Sequence, residues 1–276
     1  MSLRLFSALR RAWYSVPFKV RLFGGRLFDS KANELLPPRS MRLLIGPGDF
    51  LEIGRSTVEG LVADAGLSPQ NRFLDIGCGV GRTAIALTRV LDPGTPYRGF
   101  DVVPQFIDWC QTNLTPKYPN FQFALIDVAN SEYNREGRFD AASMRFPYDD
   151  ASFDFVYAGS VFTHLLGPAA ANYIRESARV LRSGGTCAAT FFLINDESQR
   201  LLDGGAAHMP LGHEIDGGRI LDPRNPEADV GHDEVRVRAE FEAAGFNVEK
   251  ILYGSWCGRQ NATQYQDLVI ARIVSS

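Results

Sequence analysis

The sequence lacks the close cysteine and histidine pairs that hold structural metals and disulfide frameworks. Its four cysteines, Cys78, Cys110, Cys187 and Cys257, stand far apart in a chain of 276 residues. Buried, reduced thiols and a cytoplasmic setting are therefore expected. Three of the four histidines, His208, His213 and His232, share one stretch. No two of them have the H-x-H or H-x-x-x-H spacing that shares a face, so no metal site is expected. There is no surplus of positive charge either: 29 Lys and Arg against 32 Asp and Glu leave a net charge of −3, which argues against a nucleic-acid partner. No apolar run is long enough to span a bilayer, and no repeat or low-complexity tract occurs. The absence of a G-x-S-x-G turn and of a P-loop removes common hydrolase and nucleotidase readings. What remains is a chain that is 45% hydrophobic and 22% charged, enough for one substantial core.

The most informative segment that is present is Phe73-Leu74-Asp75-Ile76-Gly77-Cys78-Gly79-Val80-Gly81-Arg82. It reads as a buried strand, a glycine turn and a helix start, with the helix expected over Thr83 to Val90. Glycines let the backbone take positive φ and approach a ligand closely, and the free N–H groups of the helix face the same point. A dinucleotide fold would need a third glycine where Arg82 stands. Asp75 at the strand's end would repel a pyrophosphate and suits a cationic ligand. An acid, one residue and three alternate glycines resemble the first motif of the class I S-adenosylmethionine-dependent methyltransferases. The resemblance implies that Asp75, Gly77, Gly79 and Gly81 surround the methionine part of S-adenosylmethionine, with Arg82 also at the cofactor.

After one helix comes Pro96-Tyr97-Arg98-Gly99-Phe100-Asp101, a second strand ending in an acid. A carboxylate at that tip can accept from both ribose hydroxyls, so Asp101 is the expected ribose ligand. The competing reading is a cap for the helix Pro104 to Asn113. Val102 and Phe106 then belong near the adenine or ribose, as the resemblance implies. Further strands are expected at Phe121 to Ile126, Phe153 to Ala158, Thr186 to Leu193, Phe246 to Leu252 and Leu268 to Ile273. Helices are expected at Asp49 to Ala65, Ala169 to Leu181 and Glu234 to Ala244. This alternation predicts an α/β, doubly wound, mainly parallel seven-stranded sheet with an antiparallel C-terminal strand and helices on both faces. The antiparallel ending matches the same family, and the resemblance covers roughly residues 67–274.

The first residues are basic and apolar in alternation. Arg4, Arg10, Arg11, Lys19, Arg21 and Arg26 oppose only Asp29, and Leu3, Phe6, Leu9 and Trp13 share a helical face. Residues 1–45 are expected to be an amino-terminal arm or cap and residues 46–276 the main domain. Peripheral membrane contact through residues 1–28 and packing of the arm on its own domain are both open at this point. Pro37-Pro38-Arg39 reads as an extended linker.

Two long segments decorate the carboxyl edge of the expected sheet, where ligands of such folds bind. In the first, 128–150, the family's usual acid before Phe146-Pro147 is replaced by Ala142. Adenine recognition therefore falls either to Asp127 or to the backbone near Ser143 and Met144, with Met144 against the ring. Tyr133 is read either as part of an acceptor pocket or as a solvated loop residue. The second segment, 195–233, is rich in Gly and Pro and is expected to be an acceptor-binding lid. Ser160-Val161-Phe162-Thr163-His164-Leu165 follows the fourth strand, where related methyltransferases place residues beside the transferable methyl. Ser160 is thus expected at the cofactor. His164 is the candidate general base, since a hydroxyl must lose its proton during attack, with a helix-capping role as the alternative. Trp256, Arg259, Tyr265 and Asp267 are read either as a sugar platform or as a packed hairpin.

The expected activity is methyl transfer to a hydroxyl of a small molecule or sugar by in-line displacement. Alternatives are N-methylation, cofactor binding without catalysis, and a nicotinamide dehydrogenase. The oligomeric state is not legible.

Overall fold

The structure, a computed structural model, describes residues 35–274. The basic amphipathic arm expected over residues 1–28 lies outside the described residues. The expected linker at Pro37–Arg39 is instead the entry to a short helix, α1 (Arg39–Leu44), with Pro38 as its N-cap. Proline is tolerated there because the first turn of a helix has no internal acceptor for its N–H groups. Helix α2 (Phe50–Ala65) begins where Asp49 accepts a hydrogen bond from the Glu52 N–H at 2.8 Å, and it ends at Gly66 in the left-handed conformation. Both ends are thus set by local sequence.

Seven strands form one sheet in the order β10-β11-β5-β4-β1-β2-β3. They are β1 (Phe73–Ile76), β2 (Tyr97–Asp101), β3 (Phe121–Leu125), β4 (Phe153–Ala158), β5 (Leu181–Phe191), β10 (Phe246–Leu252) and β11 (Asp267–Ile273). Strands β1, β2 and β3 pair in parallel, as do β4 and β5, whereas β11 runs antiparallel to both β5 and β10. All four residues of β1 are buried, as expected of a strand with both faces covered. The doubly wound sheet with an antiparallel C-terminal strand is therefore present. Helices α3 (Arg82–Leu87), α4 (Pro104–Asn113), α5 (Gly167–Val180) and α7 (Glu234–Ala243) connect it.

The chain divides into two compact units, one ending at Ile126 and the other beginning at Asp127. In the first, Tyr97 stacks on Phe73 at 5.8 Å and on Phe121 at 4.6 Å, a layer of rings across three strands. In the second, Phe162 stacks on Phe191 at 4.4 Å. There the fifth strand starts at Leu181, earlier than expected. Gly184, at φ 71°, sits inside it, and the register jumps from Phe153↔Leu181 to Phe155↔Thr186. The glycine pair allows a bulge rather than marking the strand's start.

The largest departure is in 195–233. An unpatterned lid was expected, but this segment builds helix α6 (Asp196–Asp203) and the strands β7 (His213–Ile215), β8 (Gly218–Ile220) and β9 (Val230–Asp233). With β6 (Leu193–Ile194) they make a second, four-stranded sheet in the order β6-β9-β8-β7. Its anchor is the end of β5, where the His232 N–H donates to the Phe192 carbonyl at 2.8 Å. Short strands with glycine at Gly217 and Gly218 have too little alternation to announce themselves.

Candidate functional site

In the first unit the glycine turn follows β1. Gly77, Gly79 and Gly81 have φ of 65°, 54° and 79°, the left-handed region that side chains disfavour. At Gly81 space matters as well, because a Cβ would lie 2.8 Å from Leu114 Cδ1. Asp101, at the tip of β2, ties this turn down: Oδ2 accepts from the Gly79 N–H at 2.9 Å and Oδ1 from the Val103 N–H at 2.9 Å. The helix-cap alternative for Asp101 is not realised, since α4 has Val103 as its N-cap and no side-chain cap bond. Two of the four lone-pair directions of the carboxylate are used in this way.

Asp75 is almost wholly buried, and its Oδ2 accepts from the Tyr97 hydroxyl at 2.8 Å. The register explains the contact. Asp75 pairs with Gly99, and Tyr97 projects from the same face two residues earlier. Gly99 leaves the room, because a Cβ there would sit 3.0 Å from the Tyr97 hydroxyl. Burial pushes the Asp75 carboxyl up to about 7, with the nearby Asp101 raising it further while the Tyr97 hydrogen bond and Arg82 act in the opposite direction. Burial likewise raises Asp101 to about 6 against the backbone N–H groups of Val103, Gly79 and Val102 that favour its charge. Two acids that burial holds back from ionising, Asp75 also by the field of Asp101, form a place that a cation relieves. The residues present therefore fit a cationic, sulfonium-bearing cofactor. Val102 is half-buried and Phe106 buried.

The second unit carries the other expected residues. Asp127 is half-exposed and engages Arg138 Nε at 2.5 Å and Asn134 Nδ2 at 3.4 Å, so Arg138 holds its carboxyl below the usual range. Ser143 lies in an exposed turn, its N–H bonded to the Asp140 carbonyl at 3.1 Å. Buried Asn172 of α5 pins the backbone on either side, donating to the carbonyls of Ala141 at 3.0 Å and Met144 at 2.8 Å. Ser160, two residues beyond β4, has φ 58°, a conformation uncommon for a residue with a side chain. Its N–H donates to Thr190 Oγ1 at 2.7 Å and its hydroxyl to Gln266 Oε1 at 2.9 Å. Neither Thr190 nor Gln266 was singled out as holding Ser160.

His164 closes a single 3₁₀ turn, Phe162–His164. Its Nδ1 lies 3.0 Å from the Glu227 carbonyl and its Nε2 3.4 Å from the Tyr133 hydroxyl. It does not cap the following helix α5, whose N-cap is Leu166 with no side-chain cap bond. The lid histidines do not gather: His208 is half-buried, His213 exposed and His232 buried. No group of three metal-ligating residues occurs among the described residues. The C-terminal aromatic cluster is a packed hairpin. Trp256 and Asp267 are fully buried, joined by Trp256 Nε1 donating to Asp267 Oδ2 at 2.7 Å, with Phe192 5.1 Å from the indole. A buried indole offers no face to a sugar, so the platform alternative falls for Trp256. Burial of all four cysteines as free thiols matches expectation, and no helix of the described residues is long and apolar enough to cross a membrane.

Comparison with known proteins agrees with this geometry. A family model described as a methyltransferase domain matches residues 74–189, which run from β1 through the glycine turn to β5. The chain is 32% identical over 143 residues to a protein named methyltransferase GfsG from Streptomyces halstedii, covering 50% of this chain and 43% of that one. It is 32% identical over 124 residues to 27-O-demethylrifamycin SV methyltransferase from Amycolatopsis mediterranei, covering 45% and 39%. The chain thus spans about half the length of the curated relatives it matches, or less. Among solved structures, a SAM-dependent methyltransferase from Aquifex aeolicus superposes with a TM-score of 0.53 at 17% identity, over 87% of this chain and 100% of that one. That likeness is one of fold. Residues 74–189 thus carry a methyltransferase domain, and the acid and glycine turn within them and the strand order around them resemble those of the class I S-adenosylmethionine-dependent methyltransferases.

Proposed function

We propose that the chain methylates a hydroxyl group of a small molecule. When bound, S-adenosylmethionine supplies an electrophilic methyl group carried on a sulfonium. The residues of the first unit are suited to hold it: the Gly77–Gly81 turn for close backbone approach, Asp101 for the ribose hydroxyls, and Asp75 with Arg82 at the charged end. Val102 and Phe106 then belong to the nucleoside side. In the second unit the backbone at Ser143 and Met144 is the better candidate for adenine than Asp127, whose carboxylate is already engaged by Arg138. Ser160, held rigidly by Thr190 and Gln266, is assigned to the same cofactor.

The observation that carries the hydroxyl reading is the environment of His164. Its Nδ1 faces a carbonyl, which can only accept, so the proton resides on Nδ1 and Nε2 keeps its lone pair. A hydroxyl needs such a proton acceptor during attack and a neutral amine does not. The Amycolatopsis relative, named 27-O-demethylrifamycin SV methyltransferase, is in keeping with it. Residues 195–233, ordered as a small sheet, are assigned to acceptor binding, residues 46–276 to the catalytic domain, and the four buried thiols are in keeping with a reducing, cytoplasmic setting. The test is calorimetric titration of S-adenosylmethionine and, separately, NAD, followed by mass detection of methyl transfer to paired hydroxylated and aminated acceptors. Products on hydroxyls alone are expected. Methylation confined to the amines overturns the reading, and binding of S-adenosylmethionine without any turnover supports a non-catalytic binding role.

A further inference from the structure

Transfer to a hydroxyl requires a group that meets the acceptor's proton, and His164 by itself is poorly placed to be that group. The side chain is 9% exposed. Its Nδ1 is engaged by the Glu227 carbonyl at 3.0 Å, and its Nε2 looks onto the Tyr133 hydroxyl at 3.4 Å, with the two rings edge to face at 5.2 Å and 89°. Tyr133 is the more exposed of the two. A bond of this length is ordinary for a catalytic pair awaiting its substrate, since such contacts tighten when the reactants bind.

Both partners are fixed by one buried residue. Asn130 donates through Nδ2 to the His164 carbonyl at 3.0 Å and accepts through Oδ1 from the Tyr133 N–H at 3.1 Å and the Glu132 N–H at 3.0 Å. The tip of the 195–233 segment closes over the same place. Glu227 Oε2 accepts from the Ser131 N–H at 2.6 Å, and Asn225 Nδ2 donates to Glu132 Oε2 at 2.7 Å. Residues 130–133 and 225–227, which belong to the two segments without a regular pattern, thus converge on one tyrosine–histidine pair. So much fixing of irregular backbone around a pair that bears a titratable proton is hard to explain as packing.

We propose that Tyr133 is the catalytic residue that meets the acceptor hydroxyl, with His164 acting behind it as the proton sink. This rests on the hydroxyl reading above. In the step, the acceptor O–H bond breaks and its proton joins Tyr133 Oη. The proton Tyr133 held passes to His164 Nε2, which becomes an imidazolium with protons on both nitrogens. The acceptor oxygen keeps the electron pair and is the nucleophile. The proton returns through Tyr133 to solvent after turnover. Glu227 is a positioning residue, because its carbonyl selects the tautomer whose unprotonated Nε2 faces the Tyr133 hydroxyl.

The test uses the full chain with ¹⁵N-labelled histidine. Nitrogen NMR of the wild type is expected to show His164 protonated on Nδ1 and bare on Nε2, and Tyr133→Phe is expected to shift the Nε2 resonance. With hydroxylated acceptors, Tyr133→Phe should lose at least about 100-fold in kcat, while calorimetry shows unchanged S-adenosylmethionine affinity, which also reports an intact fold. His164 protonated on Nε2, or a resonance that Tyr133→Phe leaves in place, overturns the pair. Hydroxyl methylation by Tyr133→Phe at the wild-type rate overturns the relay while the hydroxyl reading stands. Methylation of amines alone overturns the hydroxyl reading itself.

Discussion

The glycine turn of the first unit and the 195–233 segment of the second are both built from glycine, polar groups and short strands, yet they are stabilised over very different distances in sequence. Around the turn, Gly79 to Asp101 and Tyr97 to Asp75 each span 22 residues, one strand, one helix and the next strand. In the second unit His164 reaches 63 residues to Glu227, and Ser131 reaches 96 to the same residue. A site made of successive strand ends follows from the repeat of a parallel sheet, because each strand delivers its last residue to the same edge. A site made where two irregular segments meet has no period behind it.

Four outcomes would sharpen that contrast. The largest concerns the anchor of the second unit. Trp256→Ala removes a fully buried indole and a donor to Asp267, and should cost about 3–5 kcal/mol in urea unfolding. S-adenosylmethionine affinity, measured by calorimetry well below the unfolding transition, should hold within about twofold if the first unit supplies most of the binding energy. A large loss of affinity would join what the comparison separates.

Next in size, Asp101→Asn removes a charge that accepts two backbone N–H groups and is assigned to the ribose. A hydrogen bond to a charged group contributes about 1.5–3 kcal/mol, so cofactor affinity should fall by about 10- to 100-fold. An unchanged dissociation constant would remove Asp101 from the cofactor site.

A third effect is the pH dependence of the same turn. Asp75 is raised to about 7 and Asp101 to about 6, each chiefly by burial. A folded pKa above the unfolded one means that the native protein binds the extra proton. Stability of the cofactor-free protein therefore falls as pH rises from about 4 through about 7. A cation favours the ionised acids, so its affinity should move the other way, rising on the order of tenfold between pH 6 and 8 with proton release on binding. Titration calorimetry in buffers of different ionisation enthalpy reads both quantities, and an affinity flat with pH would separate Asp75 from the bound cation.

The smallest effect belongs to His232. Burial holds its pKa below the usual imidazole value, and its Nε2 meets the Phe162 carbonyl at 2.8 Å. The unfolded chain takes the proton first, so stability should decline as pH drops below about 6.5. His232→Gln, which can still donate to that carbonyl, should flatten this part of the profile of urea midpoints. A profile identical to wild type would assign the acid lability elsewhere.

Much of the first unit was legible in advance. The strand, glycine turn and helix around Asp75 stand where the pattern put them, and Asp101 closes the second strand. What the pattern did not disclose is that Asp75 is satisfied by Tyr97, although alternation along β2 puts Tyr97 and Gly99 on one face and offered that signal. In the second unit Ser160 and His164 were placed by position after β4. Their partners Thr190, Gln266, Tyr133 and Glu227 became visible as partners only in three dimensions. The aromatic cluster at the last hairpin shows the same limit from the other side: Trp256 and Asp267 were noticed, but whether they faced a ligand or each other depended on burial.

The sequence by itself determined the sheet, its order of strands and helices, and the acid and glycine turn, because hydrophobic alternation and glycine's freedom at positive φ act over a few residues. Tertiary structure alone decided that 195–233 is an ordered sheet, that Trp256 is core, and that Tyr133 stands against His164. Those outcomes depend on groups tens of residues apart excluding water from one another. No local periodicity encodes which of them will meet.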